Sequence, residues 1–161
     1  MSAKQIALGG VTAALAVVIL CLGGLVPFAT YVLPMICCIL LQLILPGLGK
    51  KGGWIWYACV SLLAIILCPD KEAAATMVFL GYYPLIKPIF DPKPWGILAK
   101  LLLFNAATAI MYAFLIHLLG FSALAAELHE MGVLLGAITL LLGNLCFFLL
   151  DRVLSRFSGN I

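Results

Sequence analysis

The stretch best suited to chemistry in this chain of 161 residues is Gly81-Tyr82-Tyr83-Pro84-Leu85-Ile86-Lys87-Pro88. Proline lacks an N–H and its ring clashes with the carbonyl four residues earlier, so Pro84 and Pro88 are expected to kink or unwind their helix. A helix broken inside a membrane is tolerated only where protein or a cavity satisfies the freed carbonyls, which favours a transporter or binding protein over a passive anchor. Tyr82 and Tyr83 would then offer ring faces and hydroxyls to a small organic ligand, with cation-π attraction if it is positive. Lys87 precedes Asp91 by four residues on one helix face. A snorkelling lysine paired with that carboxylate is its simplest role, and a gate or proton site is the alternative.

Other constellations carry less. Glu127-Leu128-His129-Glu130, taken with His117, contains the residue types of a hard-to-borderline metal site. Hydrated loop residues of the same types need no metal, and no metal ligand or other cofactor is assigned. Gly47-Leu48-Gly49-Lys50 lacks the spacing of a phosphate-cradling loop and reads as a helix stop with basic anchors. Ser61 has neither histidine nor acid nearby in sequence, so a serine dyad has no partner. The six cysteines, Cys21, Cys37, Cys38, Cys59, Cys68 and Cys146, form no paired C-x-x-C motifs and are expected to act as small hydrophobes. Cys68 is near enough to a surface to oxidise but has no obvious partner. An enzyme is not expected.

The elements that must position these residues follow from composition. The chain is 66% hydrophobic with 15 glycines and only 9% charged residues, against about 25% charged in an average soluble domain. A water-soluble fold cannot cover its surface with so few charges. Residues 1–161 read as one integral membrane domain, an all-α bundle of six transmembrane helices over about 5–26, 28–48, 54–68, 73–90, 96–119 and 131–150. The short third span is expected to extend back through Gly52 and Gly53 or to sit where the bilayer thins. The runs are apolar on every face, which excludes the alternation of a β-barrel. The first run exceeds the length of a signal-peptide core and reads as a retained helix.

Basic residues resist translocation, so they set the orientation. With the N-terminus inside, Lys4, Lys50, Lys51, Lys87, Lys93, Lys100, Arg152 and Arg156 all fall on the cytoplasmic side, and Lys71 alone falls outside. Both termini are therefore expected in the cytoplasm, in a multi-pass protein of the cell membrane. Trp54, Trp56 and Trp95 fall at the inner helix ends, where indoles anchor at headgroups. Asp70, Glu72, Glu127 and Glu130 make an acidic outer rim, which would attract a cationic or zwitterionic ligand but also suits ordinary solvated loops. Anionic lipid accounts for the basic inner face without nucleic acid. Gln42, Asn105 and Asn144 lie at one inner depth and are expected to join three helices in an amide layer.

In the first helix, Gly9 with Ala13 and Gly10 with Ala14 make overlapping small-xxx-small pairs, which allow a second backbone to approach closely. With its length, six spans and cytoplasmic termini, the chain resembles the substrate-binding S components of energy-coupling factor (ECF) transporters, whose first helix carries an alanine-rich patch for the transmembrane coupling subunit. The histidine-bearing N-terminus of the nickel and cobalt members is absent, since the chain starts Met1-Ser2-Ala3-Lys4, and no ligand motif fixes a particular vitamin. The resemblance implies uptake of a small molecule such as a vitamin or precursor. It also implies a coupling subunit bound at Gly9, Gly10, Ala13 and Ala14, with a pair of cytoplasmic ATPases. The ligand site would lie in the outer half, closed by a loop around Gly24 to Tyr31, with Tyr31, Asp70, Glu72, Tyr82, Tyr83, Tyr112 and His117 as candidate contacts. A stand-alone small transporter or channel gated at Lys87, and a membrane assembly subunit without a ligand, are the alternatives.

Overall fold

The computed structural model describes residues 2–25, 29–92, 95–117 and 132–158. These residues form helices, with no strand among them: α1 (Ala3–Cys21), a short 3-10 turn (Leu22–Leu25), α2 (Ala29–Leu67), α3 (Lys71–Leu80), α4 (Tyr83–Phe90), α5 (Gly96–His117) and α6 (Gly132–Ser158). Counted as continuous helical stretches, with α3 and α4 taken together, they number five and not the expected six. The spans expected at 28–48 and 54–68 make the single element α2, and the span expected at 73–90 is divided into α3 and α4. Four stretches, Ala3–Cys21, Tyr31–Leu67, Lys71–Phe90 and Gly96–Ile116, are long and apolar enough to cross a membrane, as in a multi-pass membrane protein.

The 39 residues of α2 would measure about 58 Å as a straight helix, roughly twice the hydrocarbon thickness. They do not run straight. Gly49 has φ 72° and ψ 168°, a backbone region that side chains other than hydrogen exclude. On one arm, Gly47 accepts a 2.9 Å hydrogen bond from the Gln5 side chain, and the Cys37 thiol lies 3.6 Å from the Ala16 carbonyl. On the other, Trp56 Nε1 donates to Thr12 over 3.1 Å and Cys68 Sγ lies 3.7 Å from Cys21 Sγ. Advancing along α1 therefore means moving back along residues 29–48 and forward along 50–67, so the arms are antiparallel. Gly53 sits where they meet: a Cβ there would lie 2.6 Å from Leu45 and 2.7 Å from Leu85.

Three helix starts have a local cause. Ser2 caps α1 in a reciprocal capping box with Gln5. Asp70 caps α3 by accepting from the amides of Glu72 and Ala73 at 3.0 and 3.1 Å. The break at Gly81-Tyr82 precedes Pro84, which occupies the first turn of α4 where its missing N–H costs nothing. Pro88, expected to interrupt the chain a second time, is carried inside α4.

The break also divides the interior. Ala16, Leu20, Leu41, Val60 and Met77 belong to a core built by α1, α2 and α3. Tyr83, Phe104, Phe147, Leu150 and Leu154 belong to a second core built by α4, α5 and α6, reached from α2 through Cys38. Outside, Val11, Ile66, Leu102 and Leu141 are exposed, as suits a surface solvated by lipid chains.

Candidate functional site

Chemistry-bearing side chains gather at both ends of the bundle. At the end that carries Asp70, the hydroxyls of Tyr31 (α2) and Tyr112 (α5) are hydrogen-bonded to each other. Glu72, on the first turn of α3, interacts electrostatically with both, and Asp70 with Tyr31. Gly23 of the 3-10 turn approaches the Asp70 carboxylate, since a Cβ there would lie 3.5 Å from Oδ2. Four of the seven candidate ligand contacts are thus brought together from three helices, in a cluster that combines two phenols with two carboxylates.

Tyr82 and Tyr83 are not part of it. Tyr82 stacks edge-on against Tyr57, with ring centroids 6.0 Å apart, and Tyr57 stacks edge-on against Trp54 at 5.9 Å. Tyr83 is buried at the opposite end, where its hydroxyl donates to Asp151. Its ring lies 4.8 Å from that of Phe147. His117 is the last residue of α5, and its side chain lies outside the described residues, as do Glu127, His129 and Glu130 and part of the loop expected to close the site, residues 26–28. Among the described residues no group of His, Cys, Asp and Glu is arranged to hold a metal ion.

At the Asp91 end, four ionised groups form a closed array. Lys87 contacts Asp91 at 2.9 Å and Asp151 at 3.6 Å, while Lys100 pairs with Asp91 and, at 3.2 Å, with Asp151. Lys87 also donates to Ser155 Oγ over 2.8 Å. Two lysines and two aspartates balance in charge, and they tie α4, α5 and α6 together. Partial burial pushes the Asp91 carboxyl up, but hydrogen bonds from Lys100 and Lys87 outweigh it and hold the group below the usual carboxylate range. The Lys87–Asp91 pair is visible from spacing alone, whereas no spacing joins Lys100 or Asp151 to it. The signal for them was present: a lysine within an apolar run is costly unless a partner reaches it.

The amide layer is smaller than expected. Asn105 and Asn144 exchange side-chain hydrogen bonds of 2.8 and 3.1 Å across α5 and α6. Gln42 does not join them, and its buried Oε1 has no hydrogen-bond partner among the described residues. The small-residue patch of α1 is split. Gly9 approaches Leu48 and Ala13 packs on the first core, while Gly10 and Ala14 are exposed, as are Ala3 and Ala7 on the same side.

Between the two ends, Cys38, Thr76, Tyr83, Phe104 and Phe147 are among the residues around a cavity of about 20 Å³. That volume admits about one water, far below the roughly 300 Å³ of a small-molecule site. No family model, curated protein or solved structure matches this chain, so its own geometry carries the functional reading.

Proposed function

We propose that the chain is the substrate-binding membrane subunit of an ECF-type importer for a small organic molecule, such as a vitamin or precursor, with no catalytic chemistry of its own. The observation that carries this reading is the convergence of Tyr31, Tyr112, Asp70 and Glu72 at one end of the bundle. Phenols and carboxylates together suit a ligand with a cationic or hydrogen-bond-donating group. The exposed line of Ala3, Ala7, Gly10 and Ala14 on α1 offers the close-approach surface that a transmembrane coupling subunit needs, and a cytoplasmic ATPase pair would energise uptake.

In this reading α1, the two arms of α2, the α3–α4 rod, α5 and α6 make six crossings. The Asp70 end faces outward and both termini lie in the cytoplasm of a cell-membrane protein. Lys4, Lys87, Lys100, Arg152 and Arg156 belong to the end of the bundle opposite Lys71, in agreement with the positive-inside rule.

The second reading is a ligand-free assembly subunit, which the exposed line of Ala3, Ala7, Gly10 and Ala14 would serve as a close-approach surface. A stand-alone channel gated at Lys87 draws no support from a lysine already neutralised by two aspartates.

A thermal-shift screen of vitamins, their precursors and amines on the purified full chain separates the readings. A ligand at 100 times its Kd adds about 2.7 kcal/mol, and the gain should fall in Glu72→Gln and Tyr112→Phe. No stabilisation by any compound at millimolar concentration rejects the ligand-binding role. Co-purification of coupling and ATPase subunits, lost in Gly10→Leu/Ala14→Leu, tests the partner surface; retention in that variant moves the contact off α1.

A further inference from the structure

Cys21 ends α1 and Cys68 follows the last residue of α2, 47 positions later in the chain, yet their sulfurs lie 3.7 Å apart. We propose that Cys21 and Cys68 are a redox pair that closes into a disulfide, stapling the end of α1 to the turn between α2 and α3. The sulfurs must approach to about 2.05 Å, a movement of under about 1 Å for each if shared. The two cysteines differ in access. Cys21 is half-buried, whereas Cys68 is buried beneath the same turn whose Asp70 caps α3.

That difference fixes the order of events. The Cys21 thiol loses its proton and attacks one sulfur of a disulfide-bearing oxidant, forming a mixed disulfide and releasing one thiolate. The released thiolate takes up a proton. Cys68 then gives up its own proton and attacks the Cys21 sulfur, displacing the oxidant's second thiolate, which is protonated in turn. Two protein thiols become one disulfide, and the oxidant's disulfide becomes two thiols. Burial pushes the Cys68 thiol up to about 12, which makes its attack the slow step. The Lys71 ammonium, which donates to the Cys68 carbonyl over 3.0 Å, favours the thiolate and partly offsets this.

The other cysteines are placed differently. Cys59 and Cys146 are exposed on the apolar exterior, and Cys38 lies in the second core. Cys37 is the nearest competitor, since it interacts electrostatically with Cys68, but its thiol is directed to the Ala16 carbonyl. Closure would hold the 3-10 turn Leu22–Leu25 against Asp70, at the end of the bundle where Tyr31 and Tyr112 meet.

The pairing does not depend on a transport role, and its test does not either. The full chain in detergent is treated with oxidised glutathione, free thiols are alkylated in denaturant, and the peptides are mapped by mass. The expected result is a Cys21–Cys68 linked peptide and loss of both residues from the alkylated pool. In Cys68→Ser the reaction should stop at a glutathione adduct on Cys21. The proposal is overturned if Cys21 and Cys68 both remain alkylatable, or if Cys68 is recovered joined to Cys37. Repeating the alkylation on intact cells with a membrane-impermeant reagent reports separately on the proposed orientation. Cys21 labelled only from the cytoplasmic side would sink the six-crossing topology and leave the in vitro pairing standing.

Discussion

Asp151→Asn probes the charge array most directly, because this carboxylate reaches both lysines and accepts from the Tyr83 hydroxyl. The substitution keeps size and shape but leaves two lysines facing one aspartate. The side chains of Lys87 and Lys100 are 2% and 7% exposed and that of Asp151 16%, so solvent cannot take up the excess charge. Removing one partner of a buried pair costs about 3–5 kcal/mol, which for a chain of this size corresponds to a fall of roughly 10 °C in Tm. Asp91→Asn makes the same change in charge at a side chain 37% exposed, where water can reach the altered position, so its cost should be the smaller of the two. Combining Lys100→Met with Asp151→Asn restores balance, leaving Lys87 with Asp91, and should recover most of the loss. Thermal unfolding of the four proteins in one detergent provides the measurement. The reasoning fails if Asp151→Asn lies within about 0.5 kcal/mol of the parent, or if adding Lys100→Met deepens the defect instead of relieving it.

Acidification should weaken the parent protein through Asp91. Its depressed folded-state value means that its stabilisation is complete above the unfolded carboxylate value of about 3.9 and is lost as pH falls through the folded value, so Asp91→Asn should flatten the acid limb of a Tm-versus-pH curve. Gly49→Ala should cost about 1–3 kcal/mol because a Cβ is strained at φ 72° and ψ 168°; an unchanged Tm would mean that α2 reverses elsewhere. Gly53→Val should cost about 1–3 kcal/mol by forcing Leu45 and Leu85 apart, read from the same melts. Closing Cys21–Cys68 spans a separation of 47 residues and should raise stability by up to about 4 kcal/mol on a chain-entropy basis; reductant should abolish the gain.

Helical class and candidate membrane crossings were legible because two thirds of the residues are hydrophobic and most of the few charges fall near the ends of the apolar runs. The break before Pro84 was legible from proline's missing N–H, and the Lys87–Asp91 pair from its spacing of four. The partners of that pair were not, since Lys100 and Asp151 lie 9 and 60 positions from Asp91 and only packing of α5 and α6 brings them near. Cys68 was recognised as oxidisable, but Cys21 faces it only after the hairpin in α2 forms. Tyr82 and Tyr83 adjoin in sequence yet reach different surroundings, because the chain leaves one helix and enters another between them. Asn105 and Asn144 met as their common depth implied, while Gln42, at similar depth on α2, did not: depth locates a residue along the membrane normal but says nothing about its direction around the helix.

The charge array has a history as well as a geometry. Synthesis delivers Lys87, Asp91, Lys93 and Lys100 before Asp151, so until α6 is made residues 87–100 carry three lysines against one aspartate. Lysines near the end of a span resist translocation and acids do little to offset them, so in the proposed topology they would keep this end of the chain in the cytoplasm. Once α6 docks, Asp151 joins the array and Lys87 and Lys100 become an internal tie. The residues would thus give an address while the protein is being made and act as a fastening afterwards, with the arrival of one carboxylate as the switch between the two.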